Sequence, residues 1–291
     1  MNLLIYGSKG WIGGLFKEYL EQVGQPFVEG NVHIEKVNEL KEELLRVNPT
    51  HVISFIGRTH GTIGEKHIGT IDYLEYPGKL YENVRDNLYS PLVLADLCTK
   101  LDIHYTYLGT GCIFNCDTES SEVVGFDENS VPNYFGSGYS VVKGFTDLLM
   151  KNYSDSVLNL RIRMPISSQW NDRNFITKIV NYSKVCSIPN SMTVLDDFFP
   201  IFLDLMQNNK TGTWNCTNPG LISHNEILTS YRDLIDPEFT WENFTLEEQS
   251  KILKSDRSNN LLDTTKLQTA YPELLKIKKS VINVLLKMKK E

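Results

Sequence analysis

The 291-residue chain lacks any apolar run near the ~18 residues of a membrane-spanning helix. It also lacks a basic excess: 29 Lys and Arg stand against 36 Asp and Glu, a net charge of −7. That balance argues against nucleic-acid binding, because phosphate backbones require a basic field. A small phosphorylated ligand, which needs only local donors, stays open. Cysteine is sparse, with five residues and no CxxC spacing. An odd, scattered set implies free thiols in a reducing compartment. No cluster has metal-ligand spacing, so no metal is expected. The opening MNLLIYG has no basic flank and no cleavage-like site, and reads as a strand and not as a signal peptide. A cytoplasmic protein is the expectation, and the five Asn-x-Ser/Thr sequons then count as chance.

What is present is an alternation of short apolar runs with helical periodicity. Residues 2–7 form an apolar run before glycines. Ile12, Leu15, Phe16, Tyr19, Leu20 and Val23 then recur at helical spacing. Gln25–Glu29 predicts a second strand, Val37–Val47 a helix and His51–Gly57 a buried parallel strand. Residues 58–80 are Gly- and His-rich without periodicity and predict an exposed loop. Tyr81–Lys100 predicts one long helix containing Pro91. His104–Gly111 predicts a strand, Tyr139–Asn152 a helix and Val157–Arg163 a strand. The β-α-β-α order implies an α/β fold, a Rossmann-type doubly wound parallel sheet. Beyond Pro165 turn clusters break the pattern. We expect a dinucleotide-binding domain over 1–165 and a smaller, mainly substrate-binding region over 166–291, partly interleaved with the sheet.

Gly7-x-x-Gly10-x-x-Gly13 falls directly between the first strand and the first helix. Glycines allow a tight turn and close approach of a pyrophosphate, which the helix N-terminus favours. The cofactor-binding candidates are therefore Gly7, Lys9, Gly10, Trp11, Ile12 and Gly13. Glu29, at the end of the second strand, is placed to accept ribose hydroxyls, which would repel a 2′-phosphate and favour NADH.

The chain contains one Tyr-x-x-x-Lys, Tyr139 and Lys143, about the number chance supplies. Its position carries the argument. It follows a nucleotide-binding opening and Thr110, which ends a strand-like run where such sheets place ligands. On a helix, residues i and i+4 share a face. The lysine charge stabilises tyrosinate and lowers the phenol from its reference pKa of about 10. The phenol can then exchange a proton with a carbonyl oxygen while nicotinamide exchanges hydride with its carbon. Cys112 alone reads as a small buried hydrophobe, and Lys178 as one lysine on a helix surface. Arg161, Arg163, Arg173 and Arg257 are candidate anion donors.

Taken together, LIYGSKGWIGG, GTGCIF, GYSVVK, RIRMPISS, RNFITK, IPNSMTVLDD, NPGLISHNEIL, DPEFTWENFTLEEQ and RSNNLLD resemble the UDP-4-keto-6-deoxyglucose 3,5-epimerase/4-reductases. Those nucleotide-rhamnose synthases are similar to dTDP-4-dehydrorhamnose reductases of the extended short-chain dehydrogenase type. The resemblance covers nearly the whole chain. It implies conversion of UDP-4-keto-6-deoxyglucose to UDP-L-rhamnose, with NADPH as cofactor and NADH as the other candidate. It also implies a separate 4,6-dehydratase upstream and a homodimer. Reduction falls to Thr110, Tyr139 and Lys143, the last two also contacting cofactor, and proton chemistry at C3 and C5 to Cys112 and Lys178. Asn174 and Phe175 would lie against the nucleotide, and Arg257 and Asn259 would bind diphosphate or sugar. The family usually has an arginine after the second strand, where VEGNVHI stands here, and residues 61–80 look longer than its loop. Two alternatives remain: a reductase without epimerase activity, and a non-catalytic nucleotide-binding regulatory subunit.

Overall fold

The four residues Leu3–Tyr6 are all buried and form β1, the strand that carries the glycine turn at its carboxyl end. Fully burying an aliphatic side chain contributes about 1.5–3 kcal/mol, so Leu3, Leu4 and Ile5, each fully inaccessible, hold that turn on a rigid base. The structure is a computed structural model and describes residues 1–116 and 125–289. It divides into two compact units. One comprises residues 1–110, 138–160 and 199–214, and the other residues 111–137, 161–198 and 215–291.

The first unit is built on a six-stranded sheet. Its strands are β1, β2 (Phe27–Glu29), β3 (His51–Ser54), β4 (His104–Thr110), β5 (Val157–Ile162) and β6 (Gly212–Asn215). Their spatial order is β6-β5-β4-β3-β1-β2. β1 pairs in parallel with both β2 and β3, and β3 pairs in parallel with β4. The chain thus leaves β1 to one side for β2 and returns to the other side for β3. This reversal opens a crevice at the carboxyl end of β1, where open α/β sheets bind ligands. Leu4, Val52 and Tyr105 on the sheet pack with Leu40, Leu44 and Leu94 from the helices α2 (Val37–Val47) and α3 (Ser90–Lys100). No helix among the described residues is long and apolar enough to cross a membrane.

Two elements differ from expectation. Residues 58–80 are not a plain loop: Gly61–Ile63 and Lys66–Ile68 pair antiparallel, and a 3₁₀ turn, Ile71–Glu75, buries Asp72, Tyr73 and Leu74. Elements this short carry too few residues to display a period. The expected long helix is three consecutive pieces, Leu80–Val84, a π turn at Arg85–Tyr89, and α3. Pro91 cannot donate a helical hydrogen bond and crowds the preceding turn. The wider π turn lies just before it, and Ser90 Oγ donates to the Arg85 carbonyl at 2.8 Å.

In the second unit, Ile166, Ile176, Ile179, Val194, Ile227, Val281 and Leu285 form one apolar cluster. It draws together the helices Phe175–Val180, His224–Leu234 and Ile277–Met288. A reciprocal cap between Ser223 and Glu226 starts the middle one. A separate cluster of Ile113, Phe114 and Leu262 joins the segment after Thr110 to the segment 255–262.

Candidate active site

The glycine turn is packed tightly against its own backbone. Gly7 has φ +75°, and a Cβ there would meet the Ile56 nitrogen at 2.8 Å; one on Gly13 would lie 2.4 Å from the Gly7 carbonyl oxygen. Gly10 N–H donates back to Gly7 at 3.1 Å. The helix that follows, α1 (Trp11–Gln22), has no side-chain cap and no acid in its first turn, so its leading N–H groups are open to an anion. Trp11 Nε1 is buried without a hydrogen-bond partner among the described residues. Lys9 is exposed, and Ile12 is half-buried. This cradle fits a dinucleotide pyrophosphate.

Glu29 ends β2. Its carboxylate accepts from Ser8 Oγ at 2.5 Å and from Lys17 Nζ at 2.7 Å. These hydrogen bonds, the lysine's first, hold its carboxyl below the usual range.

Thr110 ends β4 and is buried. Tyr139 and Lys143 lie in the first two turns of α4 (Gly138–Met150), a helix packed on β4, and both are buried. Lys143 Nζ donates to the Tyr107 hydroxyl at 2.5 Å and to the Leu108 carbonyl at 3.3 Å. Burial pushes the Tyr107 phenol well above its ordinary value, so it stays a neutral acceptor. α4 is held at two further points. Gly138 N–H donates to Glu75 Oε1 at 2.6 Å, a carboxylate on the positive end of the helix dipole. Thr146 Oγ donates to the carbonyl of Asn87, inside the π turn, at 2.7 Å. The Asn87 side chain in turn binds the Arg58 backbone through both N–H and C=O. Sequence reasoning did not find Tyr107, Glu75 or Asn87. Glu75 lies in a stretch read as a loop, and the other two are anonymous within regular elements.

In the second unit Cys112 is half-buried, and Arg163 Nη1 lies 3.8 Å from its Sγ. Asn174 caps the helix Phe175–Val180: its oxygen accepts from Ile176 N–H, and its amide donates to Ser167 and Gln169 carbonyls. The Phe175 ring meets the His224 ring edge-on at 5.2 Å. Lys178, on the same short helix, is depressed to about 8, first by burial and then by Arg173 and Arg257. Lysine usually titrates near 10.4, so this amine can release or take a proton near neutrality. Arg257 donates to the Ser255 carbonyl at 2.9 Å. Asn259 accepts from Asn190 Nδ2 at 2.8 Å, and Asn190 also holds Arg163. A groove lined by Thr50, His51, His104 and Asn209 lies at the amino ends of β3 and β4, away from Thr110. Among the described residues no group of three His, Cys, Asp or Glu is placed to hold a metal ion.

No family model matches the chain. Full-length relatives do. The crystal structure of the L780 UDP-rhamnose synthase from Acanthamoeba polyphaga mimivirus is 54% identical, covers 99% of both chains and superposes with a TM-score of 0.95. The bifunctional dTDP-4-dehydrorhamnose 3,5-epimerase/dTDP-4-dehydrorhamnose reductase of Arabidopsis thaliana is 45% identical over 97% of this chain and 91% of its own. The dTDP-4-dehydrorhamnose reductase of Bacillus anthracis, solved with NADP, is 15% identical and shares the fold at a TM-score of 0.82, covering 99% of this chain and 100% of its own. The chain belongs to the epimerase/reductase family of nucleotide-rhamnose synthases.

Proposed function

We propose that the chain converts UDP-4-keto-6-deoxyglucose to UDP-L-rhamnose, inverting C3 and C5 and then reducing the C4 ketone. The observation that carries this reading is 45% identity over 97% of the chain to a bifunctional epimerase/reductase, with a Thr110–Tyr139–Lys143 set and a Cys112 and Lys178 at the expected motif positions.

C3 and C5 both flank the ketone, so loss of either hydrogen gives an enolate. Inversion needs a proton removed from one face and returned to the other. Cys112 and Lys178 are the two groups assigned to that exchange. Lys178 titrates near 8, which suits a group that must both hold and release a proton. When bound, reduced nicotinamide supplies the hydride for C4. Thr110 then hydrogen-bonds the ketone oxygen, Tyr139 delivers the proton that turns it into a hydroxyl, and Lys143 offsets the charge left on the phenolate. Gly7 through Gly13 hold the pyrophosphate, NADPH is the cofactor the family implies, and Glu29 decides whether NADH serves as well. Asn174, Phe175, Arg257 and Asn259 are assigned to the UDP-sugar.

The substrate is supplied by a 4,6-dehydratase. Homodimerisation is supported by exposed Tyr89, Phe145 and Leu149 on the first unit. Cytoplasmic placement is supported by five free cysteines. The test is incubation with UDP-4-keto-6-deoxyglucose and NADPH in deuterium oxide, read by NMR. UDP-L-rhamnose labelled at C3 and C5 is expected. An unepimerised reduced sugar would leave a reductase alone, and no turnover with either cofactor would favour a regulatory subunit.

A further inference from the structure

Arg163 is 1% exposed, yet it has no carboxylate partner among the described residues. Nη1 donates to Ser258 Oγ at 2.8 Å, to the Gly111 carbonyl at 3.4 Å and to Cys112 Sγ at 3.8 Å. Nη2 donates to Asn190 Oδ1 at 2.6 Å and to the Ser258 carbonyl at 2.5 Å. Nε is buried without an acceptor among the described residues. Neutral oxygens offset part of the cost of burying a guanidinium, but they leave its charge uncompensated. The ionisable groups that face it are Cys112, Cys116 and Tyr134. Of these, Cys112 is the one whose sulfur lies within hydrogen-bonding reach of the guanidinium.

We propose that Arg163 is a positioning residue that holds Cys112 Sγ in place and supplies the countercharge for the anion that forms on sulfur whenever Cys112 gives up its proton. The proposal rests on the reading of Cys112 as an epimerisation residue. The balance is simple. In one direction sulfur takes a proton from C3 or C5 and loses its negative charge as the enolate gains one; in the other the S–H bond breaks and the charge returns to sulfur. Arg163 makes no covalent bond and keeps all its protons. The fork is fixed by Asn190 and by Ser258, whose hydroxyl in turn donates to the Phe114 carbonyl at 2.7 Å. The cation therefore cannot follow the sulfur; the sulfur is held to the cation.

The test uses the full chain and its Arg163→Lys, Arg163→Met and Arg163→Gln variants. The first readout is the iodoacetamide alkylation rate of Cys112 at pH 7, mapped by peptide mass spectrometry so that Cys116 is scored separately. Removing the buried cation 3.8 Å from Cys112 Sγ is expected to slow alkylation of Cys112 at least about tenfold in Arg163→Met and Arg163→Gln, with Arg163→Lys recovering most of the rate. Deuterium entry into the sugar should fall with it through kcat, at unchanged KM. Reduction of a pre-epimerised 4-keto sugar should persist. Wild-type alkylation in folded Met and Gln variants would overturn the proposal, as would a raised KM with unchanged kcat, which would make Arg163 a ligand-binding group. The underlying reading fails separately, if Cys112→Ala keeps full deuterium exchange.

Discussion

Lys143 is gripped by Tyr107: its ammonium lies 2.5 Å from the hydroxyl and 4.5 Å from the centroid of the same ring. A lysine assigned a place beside the proposed proton donor Tyr139 has four rotatable bonds to restrain, and this contact restrains the tip. Tyr107→Phe keeps the ring and removes one charge-assisted hydrogen bond, worth about 1.5–3 kcal/mol. We expect kcat for ketone reduction to fall about tenfold or more on that basis, while solvent deuterium still enters C3 and C5. Unchanged single-turnover reduction would show that α4 alone positions the lysine.

The division of labour gives a reciprocal pair. Tyr139→Phe should abolish hydride transfer and leave deuterium entry at C3 and C5. Cys112→Ala should suppress deuterium entry and leave reduction of a pre-epimerised sugar. Equal loss of both activities in both folded, ligand-binding variants would refute the division.

Lys178 is an ammonium below its pKa of about 8 and a free amine above it. If Lys178 is the proton donor of the pair, inversion at C3 and C5 should hold below that value and fall as pH rises through it, and the opposite pH dependence would make it the base. Lys178→Arg keeps the charge but cannot release a proton. Inversion should therefore disappear in that variant at every pH, measured by NMR with reduction followed at 340 nm.

His224 concerns stability. Burial depresses it from 6.5 to about 4 in the folded chain. An unfolded chain then binds more protons between those values. Stability is full above about pH 6.5 and is lost as pH falls toward 4. From pH 7 to 5 the loss from this residue is roughly 1–2 kcal/mol. His51 and His104, also depressed chiefly by burial, act in the same direction. His224→Gln should flatten the pH dependence of urea unfolding; an unchanged slope would exclude His224 as its source.

The proposed role of Glu29 in cofactor choice is open to direct test. Its carboxylate stands at the end of β2, with Lys17 and Ser8 holding both oxygens. If Glu29 receives the adenosine ribose, Glu29→Gln removes a negative charge that would repel a 2′-phosphate, so NADPH should bind more tightly relative to NADH. Fluorescence titration with each nucleotide measures this, and an unaltered ratio would free Glu29 from that role.

Much of this was readable before any coordinates. The glycine turn announces itself because strand, turn and helix are contiguous, and Tyr139 and Lys143 announce a shared face because four residues make about one helical turn. α2 runs from Val37 to Val47 as its periodicity indicates. The supports of the site were not legible. Gly138 meets Glu75, 63 positions away, and Arg163 meets Ser258, 95 positions away. Such pairs leave no trace in local spacing. Arg163 illustrates the limit: as one of eight arginines it reads as a surface anion donor, and only burial beside a thiol gives it another meaning.

The π turn at Arg85–Tyr89 sets the rotational phase of what precedes it. Removing one residue there would let the backbone run as a regular α-helix, and everything upstream would rotate by about 100°. Leu80–Val84 would then turn a different side toward α4, and Asn87 would swing its carbonyl from Thr146 and its amide from Arg58. Chain length in this stretch thus works as a clocking pin: the number of residues, more than their identity, fixes the angle at which the support meets α4.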